Sequence, residues 1–163
     1  MNLQEALDKL LPSFRRYYNI KTEEVEAPFT AEAVFQSHNE QYFLMKSARI
    51  SESNSNEFIY FYTADSLDEA YLTELDRIAW ERGIGHVQPN YYHKSTDVAL
   101  VILVNEMTGE AKQLIRKMKH SKSYKFGLNG YSNYRLIALE LSTGQVTHNR
   151  QGRSLKKLVS NII

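Results

Sequence analysis

Val98–Val104 reads VALVILV, seven apolar residues without a polar interruption. A strand with one wet face alternates apolar and polar side chains. An unbroken apolar run instead predicts a strand covered on both faces, the centre of a sheet with helices on either side. The run is far shorter than the ~20 residues a membrane-crossing helix needs.

C-terminal to this strand, Ala111, Leu114, Ile115 and Met118 recur at helical spacing and predict a helix over Gly109–His120. Lys122–Phe126 and Tyr131–Leu141 read as strands joined by a turn at Gly127–Gly130. Ser142–Gln145 forms another turn before a short strand at Val146, and Leu155, Leu158, Val159 and Ile162 mark a last helix. N-terminal to it, Gln88–Lys94 reads as a loop. Leu67, Ala70, Tyr71, Leu75, Ile78 and Ala79 share a helix face, with Ser66–Glu69 as a capping box and Gly83 as a left-handed C-terminal cap. Glu57–Thr63 is aromatic and β-branched; Phe58, Tyr60 and Tyr62 point one way and Ile59 and Phe61 the other, so this strand too is covered on both sides. Ser51–Asn56 is a polar turn, and Thr30–Gln36 and Gln41–Ile50 read as strands joined by Ser37–Glu40, completing an antiparallel meander. Leu3, Ala6, Leu7, Leu10, Leu11 and Phe14 define a first helix that Pro12, lacking an amide hydrogen, kinks or restarts. Pro28 closes the loop that follows.

The resulting order, α-β-β-β-α-β-α-β-β-(β)-α, places the chain in the α+β class. It predicts a single globular domain over 1–163 with a mixed sheet flanked by helices. A chain of 163 residues can bury about 68–70% of its unfolded surface and needs no staples.

Over residues 1–104 the order α-β-β-β-α-β resembles the core of the restriction-endonuclease-like fold. That resemblance implies an acid on the second strand and an acid-x-Lys triplet on the third, clustered around a divalent ion. Leu44-Met45-Lys46 keeps the lysine but has Leu44 in place of the acid; Glu57-Phe58-Ile59 keeps the acid and lacks the lysine. Glu110-Ala111-Lys112 has the spacing at a helix start. The resemblance implies an inactive or divergent nuclease-like protein.

No other catalytic signature is present. There is no cysteine, and His38, His86, His93, His120 and His148 show no i, i+3 or i+4 pairing, so neither a zinc site nor any other metal site or cofactor is expected. Gly83-Ile84-Gly85 follows a helix and fails as a phosphate loop. Met1–Leu11 alternates apolar and acidic residues, unlike a signal peptide or membrane span; with no cysteine, the cytoplasm is the expected setting.

Charge is the informative feature. Residues 1–81 carry 7 Lys+Arg against 15 Asp+Glu, net −8; residues 82–163 carry 13 against 4, net +9. Such asymmetry marks a surface for nucleic acid or an acidic partner, unless the halves pair with each other in space. Arg116–Phe126 contains Lys117, Lys119, His120, Lys122, Tyr124 and Lys125 and no acid. Basic side chains neutralise phosphates and aromatic rings stack on exposed bases. Cations also suit a helix C-terminus, and lysines guard an edge strand. Arg150 and Arg153 with Lys156 and Lys157 form a second basic group, and Tyr91, Tyr92 and His93 an aromatic cluster suited to contact. The run Gly130-Tyr131, Arg135-Leu136, Thr147-His148-Asn149-Arg150, Gly152-Arg153 looks patterned without pointing to a chemistry.

The leading expectation is a non-enzymatic binding module whose basic-aromatic surface takes a nucleic acid or acidic protein weakly and salt-sensitively, with no membrane partner and homo-oligomerisation left open. The alternatives are a degenerate nuclease-like enzyme acting on nucleic acid and a ligand-binding domain with a Tyr-lined pocket.

Overall fold

The computed structural model describes residues 1–36, 54–88 and 93–163. The expected strand Gln41–Ile50, its hairpin turn Ser37–Glu40, and Tyr91 and Tyr92 lie outside the described residues.

The central strand is as expected: β4 (His93–Met107) contains Val98–Val104, and every side chain of that run is fully buried. It pairs parallel with β3 (Asn54–Leu67) on one side and β6 (Tyr131–Glu140) on the other. β2 (Ala31–Gln36) lies antiparallel on β3, and β1 (Asn19–Lys21) antiparallel on β2. The far edge of β6 is shared by two short antiparallel strands, β5 (Ser121–Ser123) and β7 (Gln145–His148). The result is a mixed sheet between two helical layers.

Side-chain alternation assigns the layers. Phe58, Tyr60 and Tyr62, Leu100 and Ile102, and Leu136 and Ala138 face α2 (Glu69–Ile84) and α3 (Gly109–Lys117), which contribute Leu72, Leu75, Ala79, Ala111 and Ile115. Ile59 and Phe61, Val101 and Leu103, and Ile137 and Leu139 face α1 (Leu3–Leu10) and the C-terminal α4 (Lys156–Ser160). Pro12 stops α1 as foreseen, and a 3-10 turn runs on to Phe14. Among the described residues no helix is long and apolar enough to cross a membrane.

Several local expectations give way. The α2 cap is Asp68, whose carboxylate accepts the Tyr71 amide; Ser66, the expected cap, is still in β3, because pairing with Glu106 of β4 extends that strand to Leu67. The helix face is rotated accordingly: Leu72 is buried, and Ala70 and Tyr71 are exposed. Gly83 is a helical residue, not a left-handed cap. It is glycine for want of space: an added Cβ would stand 2.4 Å from a Val98 methyl. Asn54–Asn56 and His93–Lys94, read as turn and loop, belong to β3 and β4, where polar residues continue the ladder at the strands' N-terminal ends. Short β1, unforeseen, is too polar to carry an apolar pattern. Lys122–Phe126 is strand only to Ser123; a tight turn follows, with left-handed backbone at Lys125 and Phe126.

Candidate nucleic-acid interface

Beyond Glu110 the only acid in the chain is Glu140. It is buried, and Lys112 holds it at 2.8 Å, with the Met107 amide and Thr143 hydroxyl donating to the same carboxylate. Burial alone would push Glu140 up; Lys112 and these donors together outweigh it and hold the group below its ordinary value. Among the described residues Lys117, Lys119, Lys122, Lys125, Arg150 and Arg153 are all exposed, and no ion pair involves any of them.

Asn149 brings the two basic groups together. It is 2% exposed and sits in the gap that β5 and β7 leave on the outer edge of β6. Its main-chain amide donates to Leu136 O at 3.0 Å. Its side-chain Oδ1 accepts from the Leu136 amide at 3.0 Å and the Gly152 amide at 2.7 Å. Its Nδ2 donates to Tyr134 O at 3.3 Å and to Met118 O at 3.0 Å. One carboxamide thus completes the ladder where no strand does, and ties the segment of Lys117 and Lys119 to that of Arg150 and Arg153. Gly152 is required there, since a Cβ would meet Leu136 O at 2.2 Å. The patterned Asn149–Gly152 run is therefore a junction between the two cationic segments.

The other predicted site residues are placed differently. His120 turns towards α2, its Nε2 2.7 Å from the buried Asp76 carboxylate and its ring stacked on Trp80. The Tyr134 hydroxyl lies beside Asp76 without hydrogen-bond geometry; burial first, then that acid, push its pKa well up. Tyr124 is buried, its hydroxyl bonded to Ser132 at 2.8 Å, with Lys122 over its ring. His93 is buried too, between Asn129 O at 2.6 Å and Thr96 at 2.8 Å. These three rings support the surface from beneath. The most exposed ring here is Phe126, at 104%, with Leu128 two residues on at 77% and the Tyr131 ring half-exposed. Hydrophobicity would have put Phe126 inside; the signal for the opposite was the flanking Gly127 and Gly130 turn.

The nuclease-like alternative meets a different arrangement. Glu57 of β3 and Asp97 of β4 are register partners, and Arg135 of β6 bridges them at 3.1 and 2.8 Å. Tyr18 donates to the free oxygen of Glu57 at 2.5 Å. Burial pushes Glu57 up despite Arg135. A guanidinium thus fills the space between the two carboxylates, and Ile59, two residues on, is in the core. Lys112 of the Glu110–Lys112 triplet is committed to Glu140. Among the described residues no three His, Asp or Glu are grouped to hold a metal ion. The open cleft at the C-terminal ends of β3 and β4, lined by Ser66, Asp68, Glu106 and Thr108, has Tyr71 as its single tyrosine.

No curated protein and no solved structure matches this chain. Residues 2–161 match the model of one family, described as Domain of unknown function (DUF8052), and the chain belongs to that family.

Proposed function

We propose that the protein is a non-enzymatic binding module for nucleic acid, which engages backbone phosphates through Lys117, Lys119, Lys122, Lys125, Arg150 and Arg153. One observation carries this reading: six exposed cations without an acid partner among the described residues, in two segments that the Asn149 carboxamide joins. Cations that served only internal pairing would sit like Lys112 or Arg135, against carboxylates. The rigid β6 edge beneath them reduces the entropy lost on binding. The cytoplasm is the setting that fits a nucleic-acid partner and a chain without cysteine.

The test is a salt titration of binding to a short duplex and to a short single strand, by fluorescence anisotropy. With about four phosphates engaged, log affinity falls against log salt with a slope near −3.6 on duplex and near −2.8 on single strand. Changing Lys117, Lys119, Lys122 and Lys125 to Ser flattens the slope and weakens binding. No binding at about 20 mM salt, where screening is slight, overturns the reading.

A further inference from the structure

We infer that Phe126 is a base-stacking platform and that the module therefore prefers single-stranded nucleic acid; this rests on the nucleic-acid reading above and names its substrate class.

Residues 124–130 form a tight tip on the β5–β6 connection. Lys125 and Phe126 both have positive φ, 48° and 56°. Side chains with a Cβ seldom adopt that region, and an aromatic one still less. Here the backbone is held in it from all sides. The amides of Gly127 and Asn129 donate to Tyr124 O, that of Leu128 to Lys125 O, and that of Tyr124 to Gly130 O, each at 3.0 Å. Below, His93 takes Asn129 O and Tyr124 is anchored on Ser132. Gly130 has φ +88°, and a Cβ there would strike Lys94 O at 2.5 Å. The outcome of these contacts is a benzyl group projected wholly into water on a fixed base.

Phe126 stands with exposed Leu128 and Tyr131 in one turn, an aromatic surface that offers large contact area at low entropic cost. The surroundings define the occupant. Lys125 adjoins it, Lys122 lies over the Tyr124 ring beneath at 5.4 Å, and the run Arg116–Phe126 holds no acid. Every nucleobase offers a π-face to a ring flanked by phosphate-binding lysines. A paired base is stacked on its neighbours and cannot offer it, so strand separation is the condition for contact. A lipid surface would take Phe126 and Leu128 as wedges, but two apolar side chains in a tight turn give shallow insertion.

The experiment uses the full chain with three variants, Phe126→Ala, Phe126→Leu and Phe126→Trp, against an oligo(dT) strand, the same strand in a duplex, and phosphatidylserine-containing vesicles. Because Phe126 contacts solvent alone, the fold is expected to survive, and circular dichroism checks it. Alanine should weaken single-strand binding by roughly 5- to 150-fold, the effect of one lost stack. The salt slope should not change, since no charge is lost, and duplex binding should stay as in wild type. Tryptophan should retain affinity and show fluorescence quenching with the strand; leucine should behave like alanine. If alanine leaves single-strand affinity intact while the lysine variant abolishes it, the stacking inference falls and the phosphate reading stands. Leucine equal to wild type overturns stacking in favour of simple apolar contact. Phe126-dependent binding to vesicles with none to oligonucleotide overturns both.

Discussion

Replacing Asn149 by alanine should expose how much the β6 edge depends on one side chain. The substitution removes the acceptor of two main-chain amides, Leu136 and Gly152, and the donor to two carbonyls, Tyr134 and Met118. The Leu136 and Gly152 backbone lies in buried residues, so the orphaned amides lose most of their compensation by water. A buried group left unsatisfied costs about 1–3 kcal/mol. Taking the lower figure for each amide, and about 0.5 kcal/mol for each lost bond to a carbonyl, the loss is about 3 kcal/mol. With a urea m-value near 2 kcal/mol per molar, the unfolding midpoint drops by about 1.5 M at unchanged slope. Gly152→Ala attacks the same junction, because its Cβ would stand 2.2 Å from Leu136 O. The double variant should therefore lose less than the sum of the two. Oligonucleotide affinity should also fall in Asn149→Ala although no charge is removed, since Lys119 and Arg150 are no longer held in one frame. A midpoint shift below about 0.5 M, or strict additivity with Gly152→Ala, would refute the reasoning.

Three further outcomes follow from the packing and the ion pairs. Gly83→Ala gains up to about 1 kcal/mol of helix propensity but forces Cβ to 2.4 Å from Val98, so thermal unfolding should show a net loss of about 1 kcal/mol, relieved when Val98→Ala is added. Lys112→Met removes the charge that holds Glu140 low; the variant should lose about 3 kcal/mol at pH 7 by urea unfolding. That deficit should shrink on acidification. A depressed carboxyl stabilises above its unfolded value, and wild type itself loses the contribution as pH falls through the folded value. Arg135→Met removes the guanidinium that lies between Glu57 and Asp97, and the variant should lose about 3 kcal/mol by urea unfolding.

The layers were legible because burial on both faces leaves a mark on composition: VALVILV needed no context to be read as a central strand, and Phe58 to Tyr62 nearly as little. The ends of elements were not. Ser66 has the chemistry of a cap, but whether it caps or stays in a ladder depends on how far β4 runs beside it, which is a tertiary fact. Gly83 has the position of a C-terminal cap and is small because of Val98, on another element. The site divided in the same way. The exposed lysines are legible, since an acid-free basic run is visible locally. Tyr124 was chosen as the contacting ring and Phe126 passed over, because which of two neighbouring aromatics points inward is set by Ser132, His93 and the left-handed turn. Asn149 was noticed as part of a pattern, but its partners are spread from Met118 to Gly152, and no local spacing reveals a side chain that replaces a strand.

The charge asymmetry between the two halves can now be followed in space. Pairing across the halves would make it an internal matter, and three described contacts do this: Arg82 with Glu26, His120 with Asp76 and Arg135 with Glu57. Other pairs stay within a half: Arg77 takes Glu74 and Glu81 along α2, and Lys112 takes Glu140. The pairing uses the cations nearest the core and leaves the outermost lysines of the second half without acids among the described residues. Meanwhile the described exposed acids of the first half lie on α1 (Glu5, Asp8), in the loop after β1 (Glu23, Glu24, Glu26), at Asp65 in β3, and at the cap and along the length of α2 (Asp68, Glu69, Glu74, Glu81). At ~0.1 M salt, with a screening length of about 10 Å, exposed charges further apart than that do not cancel each other's field. On the proposed reading a polyanion is attracted by the unpaired lysines and repelled by the exposed acids, which keeps its affinity low. Reversing charge on α2, with Glu74→Lys and Glu81→Lys, should therefore raise the association rate for an oligonucleotide several-fold at about 20 mM salt, with little effect at about 300 mM. Stopped-flow anisotropy reads the rate, and an unchanged low-salt rate would show that the α2 acids do not act on the approaching strand.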